Sequence, residues 1–455
     1  MFPRMRRRDF LKSTGIGLGL LGLSGWVRGA VSAARPPNLI FILADDFGLD
    51  DVSCYGSDAF KTPNIDALAK TGLRFENGYC LPLCGPTRCE FITGRYPFRT
   101  GGLTNQAAGQ PSSKNEPSVA RTLKQAGYAT CETGKWRQMG ETPADWGFDE
   151  YITDPTAGGW YWKQSYTKNG KEVQLDKETY YPDVTHDFAI DFIKRNKDKP
   201  FFLYYPSHLV HGPILRTPDT KAGAADPKTL YADNVAYLDK EVGDLMAVLD
   251  SLNLREQTLV VFAGDNGTAG ASRTIRGRAL SGQKGSMKDC GAHVPFIANW
   301  KGTAPAGKVL KDLVDFTDLF ATFADLAGAK LPEGVTLDGH SFAPQLRGQP
   351  GKPRDWIFVQ LGGNWYVREM DWKLNNQGEL FDMKDAPFVE KLVPADAQDE
   401  TAATARKRLQ AVLDTLNPAA GKTVPAGAGG GRPAAKPGRK AKKAPAAPAA
   451  PGTPI

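Results

Sequence analysis

An α/β fold, with a parallel sheet covered by helices, follows from three observations in the sequence. Continuous apolar runs of strand length recur, amphipathic helical stretches separate them, and polar residues stand directly after the runs. A run that is apolar at every position suits a strand buried on both faces. The order of elements then follows from each segment in turn.

Asn38-Leu39-Ile40-Phe41-Ile42-Leu43 is the first such run and predicts a central strand. Pro63–Ala69 begins a helix, with proline in the first turn, where a missing N–H costs nothing. Ser118–Gln125 predicts another helix ending at Gly127, and Tyr128–Cys131 a short strand after it. Pro182–Arg195 is helical, and Phe201–Tyr205 is a second buried strand. Leu230–Leu252 is a long amphipathic helix leading into the strand Thr258–Phe262, and Asp315–Leu326 is a further helix. Around Leu346–Lys352 the pattern loosens. Trp356–Leu374 then shows short β-like runs rich in aromatics, and Ala402–Leu416 is helical. This predicts a small antiparallel sheet with a closing helix over residues 348–416, packed on a main domain of residues 35–347.

Both ends of the chain differ from this body. In residues 1–34, Arg7-Arg8-Asp9-Phe10-Leu11-Lys12 resembles a twin-arginine export motif, followed by a Gly/Leu-rich run over Gly15–Leu23 and small residues at Val31-Ser32-Ala33. The run is too short and glycine-rich for a stable membrane span. The resemblance implies a twin-arginine translocase as partner and a bacterial periplasmic or secreted location. Residues 417–455 are Ala, Pro, Gly and Lys with little to bury, and read as a disordered tail. The two ends carry +6 (through residue 35) and +7, so residues 36–416 carry −6 of the whole chain's +7. The basicity belongs to the appendages, and a nucleic-acid role argued from it fails. Six cysteines in an oxidising compartment predict disulfides, with the pairing left open.

Polar residues converge on one rim. Asp45 and Asp46 follow the first strand, Lys135 follows the Tyr128 strand, His208 and His211 follow the Phe201 strand, and Asp265 and Asn266 follow the Thr258 strand. Open parallel sheets bind ligands beyond the carboxyl ends of their strands. Asp45, Asp46, Asp265 and Asn266 form an all-oxygen set that favours Ca2+ or Mg2+ over zinc. The plainer reading makes the first pair turn caps and Asp265-Asn266-Gly267 a tight turn. His186 and His340 read as structural.

The most specific segment is Cys84-Gly85-Pro86-Thr87-Arg88-Cys89, followed by Thr93-Gly94-Arg95. The spacing of Cys80, Cys84 and Cys89 matches no common zinc or iron–sulfur framework, which leaves a disulfide or small buried hydrophobes as ordinary alternatives. The segment also resembles, position for position, the Cys-x-Pro-Ser-Arg and Thr-Gly-Arg signature of the type I sulfatases, with Thr87 keeping the hydroxyl of the usual serine. Leu43–Asp46, Thr62–Ala69, Gly134-Lys135-Trp136, Gly264–Gly267 and Gln283–Ser286 resemble further blocks of that family, in family order.

The resemblance implies an alkaline-phosphatase-like architecture, a large mixed and mostly parallel sheet flanked by helices with a small C-terminal antiparallel sheet. It also implies that a maturation enzyme converts Cys84 to formylglycine, whose gem-diol attacks the sulfate ester and then expels sulfate with its second hydroxyl. Asp45, Asp46, Asp265, Asn266 and residue 84 become ligands of Ca2+, with Mg2+ the other candidate. Arg88, Lys135 and Lys284 would neutralise the sulfate oxygens, and His211 or Lys284 would protonate the leaving alcohol. The family's usual histidine two residues after Lys135 is replaced by Arg137, which cannot act as a base. The proton acceptor would then be His208, Asp265 or water. After Lys284 the family's Glu-Gly-Gly-x-Arg is replaced by Asp289-Cys290-Gly291-Ala292-His293.

Trp160 and Trp162 are candidate sugar-stacking residues, Arg137 and His208 candidate substrate contacts, and Arg273, Arg276 and Arg278 candidate contacts to further anionic groups. The expected substrate is a sulfated small molecule or polysaccharide. A phosphodiesterase or phosphonate hydrolase on the same scaffold, and a non-catalytic binder of sulfated glycans, are the competing readings.

Overall fold

The computed structural model describes residues 35–105, 111–136, 139–154, 161–162, 165–270 and 273–423. Residues 1–34, read in the sequence as an export leader, Arg137, Trp160 and the end of the tail from residue 424 lie outside the described residues. Strands β1 (Asn38–Ala44), β2 (Leu73–Tyr79), β3 (Ala129–Gly134), β4 (Glu150–Thr153), β5 (Ser165–Lys168) and β6 (Lys171–Gln174) come first in the chain. They are followed by β7 (Phe201–Pro206), β8 (Thr258–Gly264), a short hairpin of β9 (Thr274–Ile275) and β10 (Arg278–Ala279), then β11 (Phe296–Asn299) and β12 (Lys308–Asp315). All except the hairpin join one sheet, in the order β12-β2-β11-β8-β1-β7-β3-β4-β5-β6. The pairings make β5 and β11 run against the other strands, so the sheet is mixed but mostly parallel.

The central runs are apolar at every position because successive side chains feed two different cores. From β1, Ile40, Ile42 and Ala44 enter one core, while Leu39, Phe41 and Leu43 enter the other. Helices α1 (Pro63–Thr71), α5 (Tyr181–Asn196) and α6 (Pro227–Ser251) supply the first core with Ile65, Phe192 and Leu245. Helices α2 (Cys84–Thr93), α4 (Val119–Gln125) and α8 (Thr317–Ala327) supply the second with Phe91, Leu123 and Phe320. Short helices α3 (Pro97–Thr100), α7 (Asp289–Ala292) and α9 (Ala343–Leu346) complete this part. Among the described residues no helix is long and apolar enough to cross a membrane.

The C-terminal segment forms an antiparallel meander of β13 (Ile357–Leu361), β14 (Asn364–Arg368), β15 (Trp372–Asn375), β16 (Leu380–Asp382) and β17 (Lys391–Val393). Val367, Trp372 and Leu374 pack on Ala405 and Leu409 of α10 (Glu400–Leu416). The opposite face puts Ile357, Val359 and Tyr366 against Tyr79 and Leu81 of the main domain. After α10 the chain turns back, and Lys422 donates its backbone N–H to Phe98 at 2.7 Å and its ammonium to Thr100 at 2.9 Å.

Several element boundaries differ from the sequence reading. The helix expected from Asp315 starts at Thr317, because Asp315 ends β12 and uses its carboxylate to accept the Thr317 N–H at 2.9 Å. Helix α6 starts three residues before Leu230, with Asp226 capping it through the Thr229 N–H. The expected disulfides are absent: all six cysteines are thiols, five of them buried. Cys80, for example, directs its sulfur at the carbonyls of Leu81 and Ala292, both at 3.3 Å.

Glu241 of α6 is buried, accepts the Tyr205 hydroxyl at 3.1 Å, and leaves its other carboxyl oxygen without a hydrogen bond. Burial, with Asp183 adding to it, pushes this carboxyl up from 4.5 to about 8. Because the folded value lies above the unfolded one, the stability it contributes is complete below pH 4.5 and is lost as pH rises through about 8. Glu241→Gln is therefore expected to leave the Tm unchanged near pH 4.5 and to raise it at pH 8.5, by an amount corresponding to about 1–3 kcal/mol. Thermal unfolding of both proteins across this range is the check; equal gains at both ends would exclude the titration.

Candidate active site

Five segments meet where the carboxyl ends of β1, β2, β3, β7 and β8 share one rim. Glycines bring them close. A Cβ on Gly134, just before Lys135, would lie 2.1 Å from the Pro206 carbonyl oxygen, and one on Gly264, just before Asp265, 1.8 Å from the Phe47 carbonyl oxygen. Backbone hydrogen bonds tie the ends together: Asp45 N to Leu209 O at 2.9 Å, Lys135 N to Pro206 O at 2.8 Å, and Asp265 N to Ala44 O at 2.9 Å. Asp46 takes a left-handed φ of 59° and donates its N–H to Asp265 Oδ1 at 2.9 Å.

Cys84 opens α2, so its side chain sits at the positive end of a ten-residue helix. Thr87 closes the turn before it, accepting Leu81 N and donating to Leu81 O, both at 3.0 Å. That is why a threonine hydroxyl serves as well as a serine here. Asn105, which the sequence reading did not single out, accepts Gly85 N at 2.8 Å and reaches the Cys84 sulfur at 3.8 Å. It stands alone in a loop, with no pattern around it to mark it.

The charged groups interlock. Arg88 holds Asp265 Oδ2 at 2.7 Å, lies 3.8 Å from Asp45 Oδ1, and donates to the Lys135 carbonyl at 3.0 Å. Lys135 Nζ is 2.5 Å from Asp45 Oδ2, and Lys284 Nζ is 2.5 Å from Asp46 Oδ1. His211 Nδ1 faces the Gly212 carbonyl at 2.5 Å and so carries a proton, leaving Nε2 directed at Asp46 Oδ2, 3.7 Å away. Ligand atoms of Asp45, Asp46, Cys84 and His211 all lie within 4.8 Å of one another.

Burial acts to raise the Asp45 carboxyl, but Lys135, His211, Arg88 and Lys284 outweigh it and hold Asp45 well below the carboxylate range. At Asp265, burial and the Asp45 charge win and push the carboxyl above that range despite Arg88 and Lys135. Burial drives the Cys84 thiol up to about 11, so the encoded residue is not a poised thiolate. Burial also lowers His211 and His208.

The donor set fits a hard divalent cation. Asp45 Oδ1 and Asn266 Oδ1 are buried with no hydrogen-bond donor to satisfy them, although Asn266 Nδ2 is bound to Asp46 Oδ1 at 2.9 Å. Oxygen atoms left in this way beside two further carboxylates suit Ca2+ or Mg2+. Asp265 lies outside the tight group, with its oxygens on Asp46 N and Arg88.

Other candidates fall elsewhere. His208 shares the loop after β7 but is buried, with Nε2 3.0 Å from Asp154 Oδ1. Trp162 donates to the Arg216 carbonyl at 2.9 Å, and the Arg216 guanidinium covers its ring at 4.1 Å, so it does not present an open stacking face there. Arg273 is held by Asp51 at 2.9 Å and lies over Tyr231, while Arg278 is clamped by Asp385. These two arginines serve the structure.

Cys84 at a helix start, facing an acidic group and three cations on a mostly parallel sheet, is an arrangement that fits a hydrolase of the alkaline-phosphatase-like class. A family model described as Sulfatase matches residues 37–329. Human arylsulfatase A is 33% identical over 368 residues, covering 72% of this chain and 71% of the relative. Human N-acetylgalactosamine-6-sulfatase is 32% identical over 356 residues, covering 70% and 67%. The crystal structure of Ps i-CgsB aligns with a TM-score of 0.72 at 30% identity, covering 84% of this chain and 92% of that one. PsFucS1 sulfatase from Pseudoalteromonas sp. aligns with a TM-score of 0.70 at 25% identity, covering 85% and 92%. The chain belongs to the type I sulfatase family and is a sulfuric ester hydrolase.

Proposed function

We propose that this enzyme removes sulfate from a sulfated carbohydrate, using Cys84 as formylglycine and a divalent cation, Ca2+ in the first instance. The observation that carries the site assignment is the meeting of Cys84, at the start of α2, with Asp45, Asp46 and His211 inside 4.8 Å. The carbohydrate reading is supported by the similarity to N-acetylgalactosamine-6-sulfatase and to Ps i-CgsB, which was also solved in complex with k-i-k-neocarrahexaose at 29% identity to this chain.

Asp45, Asp46, Asp265 and Asn266 would hold the cation, together with residue 84. The cation supplies charge neutralisation for the sulfate oxygens, and hydrated formylglycine supplies the attacking oxygen. Arg88 sets Asp265 and Asp45 in place while presenting positive charge to the same centre. Lys135 and Lys284, each on one aspartate of the doublet, bring two ammonium groups to the anionic end of the ester. Lys284, or His211 once its Nε2 has taken up a second proton, delivers a proton to the leaving alcohol. Export follows from the Arg7-Arg8 leader, which directs the protein through the twin-arginine translocase to the periplasm or beyond, after a maturation enzyme has acted on Cys84.

Rates on an aryl sulfate and an aryl phosphate diester, measured on protein made with a maturation system, test the reaction class; preference for the phosphate ester would overturn it. Mass spectrometry of the peptide across Cys84 tests the nucleophile, and thiol in fully active protein would refute it. Chelation is expected to abolish turnover, with recovery on adding Ca2+ or Mg2+. The same treatment is expected to lower the Tm, since the buried acids lose a counter-charge.

A further inference from the structure

The segment that carries Lys284 is gripped along its length by the C-terminal sheet. Arg278 pairs with Asp385, Ser281 N donates to Pro387 O at 2.8 Å, and Lys373 Nζ reaches Met287 O at 3.4 Å. Glu390 accepts Asp289 N at 2.5 Å and Lys373 Nζ at 2.5 Å, and Arg368 pairs with Asp289. Asp289 also receives the Tyr79 hydroxyl at 2.8 Å and lies 2.9 Å from His293 Nδ1. Gly285 N donates to Pro82 O at 2.7 Å, two residues before Cys84. The stretch from Lys284 to Asp289 is therefore fixed both to the catalytic rim and to the meander.

Just beyond Lys284 the same stretch forms one wall of a cleft of about 220 Å³. Met287 and Lys288 face it from the main domain, and Asn364, Trp365, Gln377 and Phe381 face it from the strand ends and turns of the meander. Its floor is aromatic: the Lys373 ammonium lies between the Tyr366 and Phe381 rings, 4.9 and 4.8 Å from their centroids. Its mouth is lined by side-chain amides. Lys288 is exposed and, among the described residues, makes no ion pair, unlike Lys373, which is neutralised by Glu390.

Trp365 is half-buried in this cleft. A half-buried ring with amides around it binds the apolar face and hydroxyls of a sugar, and a free ammonium at the edge selects an anionic substituent. We propose that this cleft is a second carbohydrate subsite, which receives a sugar ring bearing a sulfate or carboxylate, on the same chain as the ester being cleaved. The inference rests on the carbohydrate reading above and adds to it that the substrate is an oligosaccharide rather than a single sugar. Because Lys284 and Lys288 share one clamped segment, the spacing between the cleaved ester and the second ring is fixed. Binding at both places is then cooperative without new motion.

The test compares wild type with Lys288→Ala and Asn364→Ala, both exposed positions outside the catalytic centre, and with Phe381→Ala. Each is assayed on an aryl sulfate and on sulfated di- and tetrasaccharides prepared from carrageenan and chondroitin sulfate. The expected result is aryl sulfate kinetics within twofold of wild type for Lys288→Ala and Asn364→Ala. On the best tetrasaccharide, KM for Lys288→Ala is expected to rise about tenfold with kcat little changed, the effect of one lost charge-assisted contact. Any advantage of tetrasaccharide over disaccharide is expected to shrink in step. Oligosaccharide turnover with unchanged KM in all three variants would overturn the subsite and leave the carbohydrate reading intact. Turnover of the aryl sulfate but of no oligosaccharide by wild type would overturn both.

Discussion

Arg88→Ala is expected to abolish turnover and to destabilise the fold by about 3–5 kcal/mol, the cost of leaving buried charges uncompensated. Arg88 is 1% exposed and reaches Asp265, Asp45 and the Lys135 backbone together. Without it, two buried carboxylates face each other across the rim, and Asp265, already pushed above the usual carboxylate range by burial and by Asp45, loses the larger of its two opposing charges and keeps only Lys135. Arg88→Lys keeps the charge but not the planar fork, so it is expected to recover most of the stability and little of the activity. Denaturant unfolding and aryl sulfate kinetics on both variants separate these contributions. An Arg88→Ala protein as stable as wild type would show that the network is not the structural keystone of the rim. An Arg88→Lys protein with wild-type kcat would show that charge alone suffices.

The parts of the site that were readable in sequence are those whose cause is local. Asp45-Asp46 and Asp265-Asn266 stand immediately after fully apolar runs, and a run of that kind has only one place in an α/β protein, the middle of the sheet. Lys135 and His211 follow by the same logic from β3 and β7. Lys284 is different. No strand precedes it directly; it lies on a loop whose position is set by Asp289, Arg368 and Glu390, contacts 79 and 101 residues apart in sequence. Only its resemblance to a family block marked it. Asn105 had neither kind of signal, because its role depends on where α2 begins.

The sheet itself was legible only in its centre. β2, with Arg74, Glu76 and Asn77 in its middle, and β12, with two lysines and two aspartates among its apolar residues, have no continuous apolar run, yet β2 joins the reversed strand β11 to the edge strand β12. Partial exposure near the sheet edge allows those polar residues, and the same exposure hides the strand from a pattern search. Three of the aromatic and arginine candidates are engaged elsewhere in the fold. Trp162, Arg273 and Arg278 have the residue types that bind sugars and sulfates, and the fold uses those same types against each other. A carboxylate or ring elsewhere in the chain decides such cases, and sequence spacing does not contain it.

Cys84→Ser is expected to leave the fold intact and to lower kcat by at least about 10⁴-fold, the order of loss when a hydrolase is deprived of its working nucleophile. The side chain is 1% exposed, but Cys84→Ser exchanges one atom, and among the described residues the sulfur makes one weak hydrogen bond, to Asn105 at 3.8 Å, so packing is kept and little hydrogen bonding is lost. A serine hydroxyl at the start of α2 would keep the same helix terminus, the same cations and the same acidic group around it. It would lack a geminal oxygen, and that difference alone predicts the form of the defect. The introduced hydroxyl is expected to attack once, releasing one equivalent of alcohol, and then to remain as a stable sulfate ester with no internal group to expel sulfate. Rapid-quench measurement of alcohol release, with mass spectrometry of the peptide spanning position 84, checks both halves. Steady turnover by Cys84→Ser at a rate near wild type would remove the need for formylglycine. Neither burst nor turnover, in a variant with wild-type Tm, would show that position 84 needs the oxidised residue for attack as well as for release.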